Sequence, residues 1–316
     1  MENTLTVTVS NNSMFELLSE LSKVSSSPLT DRVLIDTSGY NSARPHILAV
    51  LTSFMKRNND FYGTFWTKFP SDQDVKNYMT RMNFYELNRF DVSYPYRKYD
   101  STGRFLEVTE FTESTSDSII DKLTNIFANP QLGLPVGMQR ALAFCFSEMV
   151  DNCCCHSLSK FNNHICAQVF SDRVEICIVD NGIGIPKSLS EVSEYSSFNN
   201  EELLAKSIIE KVTSKRHSKE RSHQGFGLFA VNEILKMNGG SLEIYTDNVA
   251  LITKEGKTDI VSIPTWEGTV VYMCLNKTHN VFEWQNIWNA VFESRGFDKP
   301  VLSHADVEDD FFKGGV

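Results

Sequence analysis

Glu148 and Asn152 stand four residues apart in Ser147-Glu148-Met149-Val150-Asp151-Asn152, where Leu142, Phe146, Met149 and Cys153 keep a helical apolar spacing. At that separation the two polar side chains share one helical face beside the apolar stripe. A carboxamide oxygen is a hard ligand for Mg²⁺, and a carboxylate can orient or deprotonate a nucleophile. Alone, the pair is also what an ordinary solvated helical face looks like.

A second segment, Val174 to Asp180 followed by Asn181-Gly182-Ile183-Gly184-Ile185-Pro186, is a hydrophobic strand that ends in a carboxylate and two glycines. Gly182 and Gly184 permit close approach of the backbone to a flat ligand. Asp180 could accept a hydrogen bond from an exocyclic amine, which is how a site would prefer adenine to guanine; an Asn-Gly hairpin turn is the plainer alternative. The third segment is Gln224-Gly225-Phe226-Gly227-Leu228, opening a helix with Val231, Ile234 and Leu235 on one face and Asn238-Gly239-Gly240 at its end. Glycines at a helix start expose N–H groups to phosphate, and the helix dipole favours the anion. Gly225-x-Gly227-x-x-Ala230 could pass for a dinucleotide fingerprint, but that motif needs a strand directly before it. Here the preceding stretch, Thr213 to His223, is polar. No Walker-type lysine loop occurs in the sequence.

The elements that must position these groups follow from hydrophobic periodicity. Residues 1–115 read as an α/β module: Leu5, Val7 and Val9 alternate as a strand, Phe15 to Val24 is helical, and Val33-Leu34-Ile35 is a buried strand ending at Asp36. A helix starts at Pro45, a strand covers Phe61 to Trp66, and Asp72 precedes a helix with Val75, Tyr78, Met79 and Met82 on one stripe. Val92 to Ser116 crosses between domains. Residues 116–280 then give helices at 117–128 and 136–158 and strands at 164–170 and 173–180. A polar segment follows over 187–224, then a helix at 227–237 and strands at 241–246, 249–253 and 268–275. The order implies an α+β class, with helices on one side of a mixed or antiparallel sheet. Residues 281–316 add an amphipathic helix (Val281, Trp284, Ile287, Trp288, Val291) and an acidic tail.

Composition narrows the class. A net charge of -10 over 316 residues argues against a dedicated nucleic-acid surface. The amino terminus has neither a basic start nor an apolar core, and no run is long enough to cross a bilayer, so a cytoplasmic protein without a membrane partner is expected. Cys153, Cys154 and Cys155 are consecutive and project about 100° apart on a helix. They read as small apolar fillers, with zinc ligation beside His156 or redox sensing as alternatives.

Taken together and in this order, the three segments resemble the N box and two glycine boxes of the GHKL superfamily, which includes gyrase, heat-shock chaperone and histidine kinase ATPases. The resemblance spans about residues 116–275 and implies a two-layer α/β sandwich that holds ATP and Mg²⁺ under a mobile lid. It makes Asn152 the Mg²⁺ ligand, Asp180 the adenine partner, and Gly182 and Gly184 the lining of the base. Gly225, Gly227 and Leu228 would hold the phosphates, and Glu148 takes the place of the general base. The basic stretch Lys206 to His223 looks like the lid, from which Lys215 and Arg216 could meet phosphate.

The segment from Arg32 to Leu87 resembles the STAS-type fold of anti-sigma antagonists, with Ser38 comparable to that fold's phosphorylated serine and a plain partner-binding or dimerisation module as the other reading. Standalone GHKL serine kinases of bacteria work with such partners. The resemblances imply an ATPase or serine/threonine kinase with a protein partner. The alternatives are a non-catalytic ATP-gated switch and a histidine-kinase-like protein, the latter lacking a phosphoacceptor hairpin ahead of the ATP domain. A homodimer is open, since Trp284, Ile287, Trp288 and Val291 could cover either the ATP domain or a second copy.

Overall fold

The computed structural model describes residues 3–27, 32–58, 64–92, 104–209, 212 and 227–277. In the N-terminal part, strands β1 (Thr4–Thr8), β2 (Arg32–Asp36) and β3 (Thr64–Lys68) form a three-stranded sheet in that order, parallel throughout. Parallel neighbours need crossovers. These are helices α1 (Met14–Ser25) and α2 (Pro45–Asn58). Ser13 caps α1 by accepting a hydrogen bond from the Glu16 N–H, and Asp72 caps α3 (Gln73–Arg81) in the same way from Asp74 and Val75. A single turn of helix, α4 (Phe84–Leu87), follows.

The larger sheet is antiparallel with order β4-β5-β6-β8-β7, built from β4 (Phe105–Phe111), β5 (Asn163–Val169), β6 (Arg173–Asp180), β7 (Ser241–Lys254) and β8 (Lys257–Asn276). Helices α5 (Ser116–Phe127), α6 (Val136–His156) and α9 (Gly227–Asn238) pack on one face of it. Helices α1 and α2 pack on the other. Side chains of β6 alternate between these faces. Glu175, Cys177 and Val179 therefore turn toward α2, while Ile176, Ile178 and Asp180 turn toward α6. One hydrophobic core joins Val7, Val33, Ile47, Leu51 and Phe54 to Cys166, Cys177, Val179, Trp266 and Val270 of the large sheet. Residues 1–282 accordingly make one compact unit, and the boundary expected at 115/116 falls within it, after β4.

Several elements differ from the periodicity reading. The strands expected at 241–246 and 249–253 are one strand, β7, with a register shift at Asp247, whose φ is 51°. β8 begins at Lys257 rather than 268, after a tight turn through Glu255 and Gly256, both at positive φ. The polar segment after 187 contains helices α7 (Ile185–Ser190) and α8 (Asn200–Ser207). Asn199 and Glu202 close a reciprocal capping box on α8. Lys206, expected in a loop, sits in the last turn of α8 with its ammonium over the Phe198 ring. The proposed lid beyond it, except Val212, and the helix and tail of 281–316 lie outside the described residues.

Ser38 lies just past β2, where its N–H and hydroxyl both donate to Asp36, which also accepts from Lys68. Among the described residues no helix is long and apolar enough to cross a membrane.

Because α2 is buried against both sheets, truncating Phe54, 1% exposed, is expected to destabilise the whole unit by about 3–5 kcal/mol. Urea denaturation of Phe54→Ala should show one transition at lower urea. A separate early loss of the N-terminal part would contradict the shared core.

Candidate nucleotide site

β6 delivers Asp180 to the site because every residue from Val174 to Asp180 is buried, so the strand has no solvent-facing side on which to slip. Asp180 itself is 6% exposed. One carboxylate oxygen accepts the Gly182 N–H at 2.8 Å, and Thr269, its register partner on β8, donates from both hydroxyl and backbone. Burial pushes the carboxyl up to about 6; the hydrogen bonds from Gly182 and Thr269 and the charge of Arg57 oppose that rise.

The turn after β6 is pressed against its neighbours. A Cβ on Gly182 would lie 2.0 Å from the Ser157 carbonyl oxygen at the end of α6, to which the Ile183 N–H donates at 2.8 Å. Gly184 has φ +81° and faces the Thr246 hydroxyl, which donates to the Gly268 carbonyl and accepts the Ile185 N–H. Gly268, at φ +97°, brings β8 so close that a Cβ would stand 2.2 Å from the Asp180 carbonyl. The two strand ends and the end of α6 thus pack backbone against backbone around one buried carboxylate.

Glu148 and Asn152 share a face of α6, as expected from their spacing, and both are half-buried. Gly227, the first residue of α9, sits directly on Glu148: a Cβ there would fall 2.2 Å from Oε2. The start of a twelve-residue helix, whose first N–H groups have no intrahelical acceptor, therefore adjoins a carboxylate. Leu228 follows in the same first turn, half-exposed. Asp180 and Glu148 are thus placed by α6 and β6 near opposite ends of one stretch of helix, the former beside Cys153 and Ser157. Gly225, Lys215 and Arg216 lie outside the described residues.

Among the described residues no group of three His, Cys, Asp or Glu could hold a metal. Asn152 offers a single hard oxygen, which fits a Mg²⁺ ion completed by phosphate and water rather than an all-protein cage. Cys153 is buried and its thiol pushed well up, chiefly by burial, which suits a filler; the Cys155 side chain is outside the described residues.

The periodicity reading missed Thr246, Asn181, Gly268 and Thr269. The Gly268-Thr269 pair carried a signal, since glycine inside a strand marks a bulge or a close backbone approach.

Residues 137–278 match the model of a family described as Histidine kinase-, DNA gyrase B-, and HSP90-like ATPase, and this stretch is a GHKL-type domain. The match runs from the start of α6 past the end of β8 and leaves the three-stranded N-terminal part outside it. The STAS comparison gains no support there. Comparison with curated proteins gives no match.

The buried carboxylate yields a sign-definite expectation. Its folded pKa of about 6 lies above the ordinary carboxylate value of 3.8, so the native state binds the proton more tightly than the unfolded chain. Stability contributed by the protonated form is present below the unfolded value and is lost as pH rises toward about 6. Asp180→Asn is expected to raise stability near neutral pH by up to about 3 kcal/mol in denaturant titrations, with the gain shrinking as the pH is lowered toward about 4. Gly268→Ala should instead lower stability by about 1–3 kcal/mol.

Proposed function

We propose that the 116–280 region binds Mg-ATP and transfers the γ-phosphoryl group either to water or to a protein serine or threonine. The observation that carries this reading is the seating of Gly227 on the Glu148 carboxylate. A helix start suited to phosphate and a potential general base then meet at one point. On this reading Asp180 accepts from the adenine amine, and the backbone at Gly182 and Gly184 lies along the base. Gly225, Gly227 and Leu228 meet the phosphates, with Lys215 and Arg216 closing over them from the lid.

Glu148 takes the proton as a water or hydroxyl oxygen forms its bond to the γ-phosphorus; the bond to the β,γ-bridging oxygen breaks, and ADP leaves. Asn152 would hold the Mg²⁺, which neutralises charge on the phosphate oxygens. A bound nucleotide beside the packed ends of β6, β8 and α6 would be shielded from water on the base side.

A second reading, an ATP-gated switch, is favoured by one feature: helix α2 of the N-terminal part shares a core with the strands that carry Asp180. In that case nucleotide binding shifts partner affinity and turnover is incidental. The N-terminal part is then the partner-binding or dimerising surface.

The test uses γ-labelled ATP with Mg²⁺ and separates free phosphate from protein-bound label. Wild type should release or transfer label, Glu148→Ala should lose about 10²–10⁴-fold of that turnover while retaining ATP, and Asp180→Ala should lose binding. Undiminished turnover in Glu148→Ala would remove the general-base role. ATP affinity should also fall as pH drops through about 6 in wild type, where Asp180 protonates. In Asp180→Asn only the phosphate's own titration should remain.

A further inference from the structure

Helix α2 runs alongside β6 in the same direction. Just before its start Arg44 pairs with Glu175, the third residue of β6, at 3.1 Å. Further along, the Ser53 hydroxyl donates to the Asn181 side-chain oxygen at 3.0 Å, a contact between two buried groups. Asn181 in turn donates to the Asn162 carbonyl at 3.2 Å, so its side chain is held from two sides. At the end of the helix Arg57, 8% exposed, donates to the Glu267 carbonyl and lays its guanidinium 4.8 Å from the Trp266 ring centroid.

These contacts converge on the backbone segments beside Asp180. Asn181 directly follows Asp180, and Glu267 directly precedes Gly268 and Thr269. Gly268 lies close against the Asp180 backbone, and Thr269 donates to the Asp180 carboxylate. Both backbone segments that shape the carboxylate's surroundings are therefore pinned by one helix that the family match does not cover. Nothing in the periodicity of α2 marks Ser53 or Arg57 for that task, since a helix buried on all sides would ordinarily carry apolar residues there. A buried arginine is costly unless its hydrogen bonds and charge are used.

We propose that Arg57 is a positioning residue for the nucleotide base: together with Ser53 it holds the 180–182 and 266–269 segments in register, so that the N-terminal part sets the affinity and base selectivity of the ATP site. This rests on the nucleotide reading above. Arg57 touches no ligand in this role; it acts through the Glu267 carbonyl and the Trp266 ring. Its positive charge also favours the ionised form of Asp180, the form that accepts from an amine.

The experiment compares wild type, R57Q, R57K and S53A for binding of ATP and GTP, with circular dichroism and thermal melting to show that each variant is folded. R57Q is expected to weaken ATP binding by about tenfold, the scale of one charge-assisted hydrogen bond, and to leave GTP affinity nearly unchanged. The ATP-to-GTP preference should therefore collapse by a similar factor. R57K should recover part of that preference, because it restores the charge and one donor. S53A, a smaller change, should reduce the preference in the same direction by about two- to threefold. A folded R57Q that keeps the wild-type preference, or that weakens ATP and GTP equally, overturns the positioning role. If R57Q does not fold, S53A with an unchanged preference overturns it. Wild type that binds neither nucleotide overturns the nucleotide reading itself, which the other outcomes leave standing.

Discussion

The arrangement depends on the burial of β6 on both faces. A strand reading Val174-Glu175-Ile176-Cys177-Ile178-Val179-Asp180 has almost no polar side to offer water, so it must be covered twice. Helix α6 covers one face and helix α2 the other. A GHKL-type sheet with helices on a single face would leave Cys177, Val179 and the neighbouring Tyr272 and Val270 exposed; here the N-terminal crossover helix fills that space. The consequence is that the N-terminal part and the five-stranded sheet share a core rather than meeting across a polar interface.

Glu175 is the exception within the strand. It is a carboxylate in the covered face, and it is matched by Arg44, the residue before α2, and by Arg173 two residues away at 2.7 Å. His46 lies 4.0 Å from it, and burial holds that imidazole below its ordinary pKa. A buried ion pair of this kind adds little net stability over apolar packing, but breaking it leaves an uncompensated charge. Its effect is therefore to fix where α2 docks along β6, which in turn sets where Ser53 and Arg57 fall.

At the other end of β6 the same burial works against the strand. Asp180 has backbone and threonine donors and feels the charge of Arg57, yet burial outweighs them and its carboxyl is pushed up to about 6 instead of lying deep in the carboxylate range. Stability given up at such a position is a familiar mark of a functional site. The close backbone approaches at Gly182 and Gly268 belong with it, since they narrow the space around the carboxylate and exclude side chains from it.

The sequence by itself determined the three chemical segments and the elements that carry them. Glu148 and Asn152 had to share a helical face because of their spacing, Asp180 had to end a strand because the six positions Val174 to Val179, apolar except Glu175, lead to it, and Gly227 had to open a helix because Val231, Ile234 and Leu235 repeat behind it. Each of these is local, set by a period of 3.6 or 2 residues. Helix α8 was also legible in principle through Asn199 and Glu202, although the surrounding polarity concealed it. What only the tertiary structure decided is which surfaces meet. That Gly227 lies on Glu148, that Gly268 and Thr269 back Asp180, and that Ser53 and Arg57 of a distant helix hold the segments beside it all depend on contacts between residues 79 to 210 positions apart. Periodicity says that α2 must be buried, but it carries no term for what buries it.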